Sequence, residues 1–337
     1  MTPSLPRRKH RRSNAGRMRT LATKANRWRQ TRWFRIGGFV AGALLVFLAI
    51  AAALRQDPDA MRRSIDALGQ HPWWFVLLFL MLPVLNWLSI SASIWFLLSR
   101  FGRLGLAETL GLIGMAWLLN YLPMRPGMVG RIAYHKAVNG ISIRHTGQTL
   151  IEGTVITAIC SGVLLLGAVV LRGVDAGLAW GLLIAVPMVT GAIASAALWS
   201  TRPITARYCA AGALRVLDMA VWAGRYALAF AIVGTSIDLP AALVLAVASQ
   251  VAMLVPIAGN GLGIREWLIG ALAASLPAAM LGGADANLSQ GLTADVLNRF
   301  VEVLVAVPLG MVCLGIIARR LRTARKTEAP VSTCDLP

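Results

Sequence analysis

Tyr121-Leu122-Pro123-Met124-Arg125-Pro126-Gly127-Met128-Val129-Gly130-Arg131 interrupts an apolar stretch that would otherwise read as part of a membrane span. Far downstream, Val255-Pro256-Ile257-Ala258-Gly259-Asn260-Gly261-Leu262-Gly263-Ile264-Arg265-Glu266 does the same. In both, a proline is followed seven residues later by a glycine and then closely by an arginine, which makes a weak internal repeat. Regions 105–139 and 240–281 therefore each read as two short helices meeting at a break.

Around these breaks lie continuous apolar runs at 36–54, 73–98, 149–171, 177–199, 213–234 and 292–318. Crossing about 30 Å of hydrocarbon takes roughly 20 residues, so all six read as transmembrane helices. The chain is 57% hydrophobic and 14% charged, with a mean hydropathy of +0.67, and could not cover itself with polar side chains in water. The expected fold class is all-α, a polytopic transmembrane helical bundle with two inverted re-entrant or broken-helix elements. Residues 1–35 read as a basic cytoplasmic tail, 36–320 as the membrane domain and 321–337 as a short cytoplasmic tail.

The formal charge of +19 sits where membrane topology would put it. Arg7 to Arg35 carries basic residues and no Asp or Glu, and a second cluster, Arg319 to Lys326, closes the last apolar run. Such flanks follow the positive-inside rule and hold anionic lipid headgroups at the membrane surface; nucleic acid is not an expected partner. Trp28, Trp33 and Phe34 could sit at headgroup depth. A broken pair contributes two crossings or none, so the parity is the same either way. Both termini are expected on the cytoplasmic side of a plasma (inner) membrane, with Arg100, Arg103, Lys136 to His145 and Arg202 to Arg215 in loops on that side. Ile36 to Leu54 lacks a small-residue cleavage site and reads as a retained anchor; Arg11-Arg12 lies too far before it for a good twin-arginine signal. Gly38-x-x-x-Gly42 offers a packing face through which a homodimer could form.

Backbone broken at membrane depth is tolerated only where protein buries it or where it lines a polar cavity. Inverted elements of this kind place transporter sites where half-helix ends converge. Helices restarting after Gly127 and Gly261 would aim free N–H groups at such a site, with Arg131 and Arg265 in their first turns. The expectation is a phosphate-like anion held by both helix starts and both guanidinium groups, with Gly127, Gly130, Gly261 and Gly263 letting backbone approach it. The plainer alternative is that the breaks only kink ordinary helices and each arginine snorkels to an interface. Glu152, Asp218, Arg225, Arg299 and Glu302 also interrupt apolar spans, where each is costly unless it pairs or faces the interior. Asp218 can pair with Arg215 or Arg225, and Arg299 with Asp295 or Glu302, at helical spacing. Glu152 has no basic neighbour on its own helix and is the stronger substrate contact. Glu266 could simply cap its turn.

Nothing marks an enzyme. There is no HExxH, GxSxG, P-loop or DxD motif; His10, His71, His135 and His145 are scattered, and Cys160, Cys209, Cys313 and Cys334 lack metal spacing. No catalytic residue, metal or cofactor is expected.

Leu119-Asn120-Tyr121-Leu122-Pro123 through Gly130-Arg131, then Asn139-Gly140-Ile141-Ser142 and Glu152, resembles the lysylphosphatidylglycerol synthase transmembrane-region family, also called flippase-like domain proteins. Val255-Pro256 with Gly259-Asn260-Gly261-Leu262-Gly263-Ile264-Arg265-Glu266 resembles its second hallmark, and Arg299 with Pro308 and Gly310 its last. The resemblance covers roughly 36–320 and implies a domain that moves lipid between leaflets, as in multiple peptide resistance factors, whose domain moves aminoacylated phosphatidylglycerol. It departs at Glu152-Gly153, where the family often has Arg after the glutamate and an Asp shortly beyond. The soluble aminoacyl-transfer domain is missing from this sequence, so lysyl-lipid synthesis by that route is not expected. The expected function is translocation of an amphipathic lipid, anionic or of polyprenyl/isoprenoid type, with Arg131 and Arg265 on the headgroup phosphate and Glu152 and Arg299 along the path. An accessory subunit or membrane enzyme of a lipid-linked sugar or aminoacyl-lipid pathway is the alternative, and a structural scaffold the third.

Overall fold

The computed structural model describes residues 69–122, 125–171, 174–254, 259–277 and 286–327, together with Leu44, Phe47, Leu48, Ala51 and Asp66. The basic tail, the rest of the run 36–54 including its Gly38/Gly42 face, and residues 328–337 lie outside those residues, as do Pro123 and Pro256. Among the described residues there is no strand. The helices are α1 (Trp73–Leu98), α2 (Leu106–Leu119), α3 (Pro126–Val138), α4 (Ile143–Val170), α5 (Ala176–Leu198), α6 (Pro203–Ile232), α7 (Leu239–Leu254), α8 (Ile264–Ser275) and α9 (Leu288–Thr327), with a 3-10 turn at Gly259–Gly261 before α8.

Four of these, α1, α4, α5 and α9, are long and apolar enough to cross a membrane. In the α5 span only 6% of the residues are buried. A surface of this hydropathy is stable only against lipid, so the protein is a membrane-embedded helical bundle. The fifth expected span in the described region, 213–234, belongs to a different kind of helix. α6 begins ten residues earlier, at Pro203, and runs for 30 residues through the interior. Its early arginines belong to the helix, not to a loop: Arg207 donates to Ser99 Oγ and lies over the Trp199 ring, and Arg215 faces Asp218. Packing on both faces allows its charges to sit at depth. α4 likewise starts six residues early, capped by Ser142 Oγ accepting from His145 N–H. α9 continues through Thr327, so the expected C-terminal tail is helical at its start.

The ends of the bundle identify the direction of each helix. At one end Phe101 stacks on His145 with ring centroids 4.2 Å apart, Phe96 meets Trp199, and Glu108 lies 3.8 Å from Arg320. At the other, Phe79, Ala168, Ala179, Ile232, Leu239 and Ala286 share one core cluster.

The broken pairs enter from opposite ends. α2 and α3, 14 and 13 residues long, reach only about 20 Å each, short of a full crossing. They fold back on each other: Tyr134 Oη and Asn139 Nδ2 near the end of α3 donate to Glu108 Oε1 at the start of α2, at 2.8 and 3.1 Å. Gly127 closes the hairpin, because a Cβ there would lie 2.4 Å from the Ala116 carbonyl oxygen. α7 and α8, of 16 and 12 residues, form the inverted counterpart. Its turn carries Asn260 and Gly261 at φ +50° and +73° and Gly263 at φ +80°, left-handed conformations that suit asparagine and glycine.

Candidate functional site

The two hairpin tips meet on Glu302, midway along α9. Its Oε1 accepts from Tyr121 Oη at 2.9 Å and Trp117 Nε1 at 3.3 Å on the first hairpin, and from Asn260 Nδ2 at 3.1 Å on the second. Its Oε2 accepts from Arg225 Nη2 and Arg265 Nη1, both at 3.0 Å. A network spreads from there. Arg265 Nε donates to Asp295 Oδ2 at 3.0 Å, and Tyr226 Oη to Asp295 Oδ1 at 2.7 Å. Arg225 also bonds Asn298 and Asn86, and Asn86 Nδ2 passes the chain to Asp218 Oδ1 at 2.8 Å. Arg299 Nε sits 2.6 Å from Glu266 Oε1, a close ion pair whose N–H is not aligned on the carboxylate, while Arg299 Nη1 reaches the Asn260 carbonyl at 3.3 Å.

The buried charges here do not balance. Arg131, Arg215, Arg225, Arg265 and Arg299 are buried beside Asp218, Glu266, Asp295 and Glu302. Arg225, Arg265 and Arg299 have close carboxylate partners, and Arg215 a longer one, Asp218, at 3.5 Å. Arg131 is 9% exposed and has no hydrogen bond or ion pair among the described residues. Arg215 adds like-charge repulsion to it. Burying an unpaired guanidinium costs several kcal/mol in order of magnitude, which sets Arg131 apart from the paired arginines of the cluster.

Arg131 lines two adjoining cavities. The outer one, about 510 Å³, is a groove between α4 and α7 whose walls include Thr149, Gly153, Leu165 and Arg215. Its flank opens sideways past Val251 and Leu254, which are 55% and 60% exposed. From Thr149 to Leu165 it follows α4 for about 24 Å, most of the thickness of a hydrocarbon core. The inner chamber, about 180 Å³, lies between the hairpin tips and α6; Asn120, Asp218, Trp222 and Glu302 are on its wall. Ile90, Arg131 and Gln250 belong to both cavities, so they form the doorway.

The structure separates residues that the sequence repeat groups together. Arg131 faces the cavities, as the sixth residue of α3 and not in its first turn. Arg265 is fully buried, is already neutralised, and lines neither cavity. Arg215 shares the outer groove with Arg131, and Arg225 the inner chamber. Glu152 pairs with Arg100 of the α1–α2 connection and accepts from Gln148 at 2.8 Å, near the end of the bundle. Its partner comes from another segment, which spacing along its own helix could not reveal. Arg299 pairs across helices with Glu266, not with Asp295 or Glu302 on α9, and Glu266 is that partner, not a cap; Asp218 does pair with Arg215. Gly127 and Gly261 serve close backbone packing, Gly261 against Ala252, and Gly263 a left-handed helix entrance; Gly130 faces open space. Arg215, Gln250 and Asn120 were absent from the sequence-derived site. The available signal was Gln250, a lone amide inside the otherwise apolar α7.

No protein-family profile matches this chain, and no curated protein matches it.

Proposed function

We propose that this chain moves an amphipathic lipid between membrane leaflets, with an anionic headgroup at Arg131 and the tails left in the bilayer. The observation that carries this reading is the buried Arg131, without a partner among the described residues, at the doorway between a groove that opens sideways and an inner chamber between the hairpin tips. A soluble anion would need no sideways opening; a lipid does. Arg215, only loosely held by Asp218 at 3.5 Å, supplies a second positive charge on the same wall. The groove's length supports movement across leaflets over simple retention in one of them. The headgroup could be that of an anionic glycerolipid or of a polyprenyl/isoprenoid-type lipid, in keeping with the family resemblance.

The mouth of the first hairpin lies at the end of the bundle where Arg100, Arg103, Lys136, Arg144, Arg202, Arg319 and Arg320 gather, and Asp175 and Asp238 lie at the other. The positive-inside rule supports a cytoplasmic basic end, and with it the reading that both termini lie on the cytoplasmic side of a plasma (inner) membrane. Reconstituted vesicles carrying a headgroup-labelled anionic phospholipid test the proposal. Wild-type protein is expected to expose inner-leaflet label to a membrane-impermeant quencher, and Arg131→Gln to return the rate to that of protein-free vesicles. Equal rates for wild type and protein-free vesicles would overturn it.

A further inference from the structure

We infer that the inner chamber selects a phosphate-bearing lipid whose group beyond the phosphate is uncharged and hydroxyl-bearing, and disfavours a headgroup ending in an ammonium. This rests on the lipid-translocation reading and specifies its substrate. An ammonium carries donors and no acceptor, so it needs free carboxylate, carbonyl or aromatic faces. The chamber's two carboxylates and its Trp222 face are already engaged, which leaves the Trp87 and Trp117 rings as its other aromatic faces. Glu302 already accepts from five side chains. Asp218 accepts from Asn86 on one oxygen and faces Arg215 on the other. The Trp222 ring already carries the Arg225 guanidinium 4.0 Å from its centroid.

What remains free is mainly donors. Arg131 has no partner, and Gln250 makes no hydrogen bond among the described residues. Asn120 uses its Oδ1 to accept from Met128 N–H, leaving Nδ2 unused. A phosphate oxygen suits the guanidinium, and hydroxyls, which accept as well as donate, suit the two amides. The Arg131 and Arg225 guanidiniums on the wall, beside carboxylates that are already paired, disfavour a terminal ammonium next to the phosphate. At about 180 Å³ the chamber suits a small polar headgroup, not an oligosaccharide.

Native mass spectrometry of the full-length protein in detergent, offered equimolar phosphatidylglycerol, phosphatidylethanolamine and lysyl-phosphatidylglycerol with the same acyl chains, tests this. Phosphatidylglycerol is expected to be retained about tenfold over either amine lipid, the scale of one charge-assisted hydrogen bond gained or lost. Gln250→Glu adds a carboxylate of the same shape and is expected to shift the ratio about tenfold toward the amine lipids. Equal or preferred retention of an amine lipid by wild type, or an unchanged ratio in a folded Gln250→Glu protein, would overturn the selectivity. If Arg131-dependent movement persisted in vesicles, the transport reading would survive that result; absence of both retention and movement would remove both. A co-purified lipid with a phosphate and a polyol upholds the inference, and its mass separates a diacyl from an isoprenoid tail.

Discussion

In the second hairpin Arg265 donates through Nε to Asp295 and through Nη1 to Glu302, and it lines neither the outer groove nor the inner chamber. In the first hairpin Arg131 follows a similar Pro-to-Gly-to-Arg spacing, yet has no partner among the described residues and looks into two cavities. The difference comes from what each hairpin packs against. α8 lies along α9, which offers Asp295 and Glu302; α3 lies near α4, which in its inner half offers Thr149 and Gly153 but no facing acid. An inverted repeat has thus become one hairpin whose arginine is fastened by ion pairs and one whose arginine faces a cavity.

Substitutions can break that contrast. Glu302→Gln is expected to have the largest effect, because it leaves Arg225 and Arg265 undercompensated in a closed interior; removing one partner of a buried pair costs about 3–5 kcal/mol. The variant should show sharply lower thermal stability in detergent and poor recovery as a monodisperse protein, and Arg265→Gln should fail in the same way. Gly127→Ala comes next. Its Cβ would press to 2.4 Å on the Ala116 carbonyl oxygen, backbone that has little room to give, so about 1–3 kcal/mol of stability is expected to be lost, with partial transport remaining after refolding at low temperature. Arg131→Gln sharpens the comparison: transport should be lost while the melting temperature holds or rises, since an unpaired buried charge is removed. A stability loss matching that of Arg265→Gln would mean the hairpins are equivalent after all. Glu152→Gln should do least. Its pair with Arg100 is part-exposed, with 18% of the carboxylate side chain accessible, so less than about 1 kcal/mol is expected, with transport near the wild-type rate.

Much of the fold was legible in the sequence. The apolar run 73–98 coincides with α1, and 177–199 is within a residue of α5 at each end, because an uninterrupted apolar stretch bounded by polar residues leaves a membrane helix little choice. The proline and glycine breaks located both hairpins for the same reason: they remove a donor or permit left-handed backbone wherever they occur. The start of α6 was misplaced because hydropathy treats Arg202 and Arg207 as surface residues; Arg207 is held by the Phe96 carbonyl and Ser99 Oγ at the end of α1.

By itself, then, the sequence determined that this is a helical membrane protein, where its helices break, and which charges must lie at depth. These follow from local backbone chemistry and from transfer to lipid, both properties of short segments. Tertiary structure alone decided which charges are quenched. Arg131 and Arg265 are alike along the chain, and only the arrival of Asp295 and Glu302 beside one of them, some thirty residues further on, distinguishes a structural arginine from one free to meet a ligand. Pairing energy depends on distances of about 3 Å between segments, and neither the spacing nor the composition of the chain contains those distances.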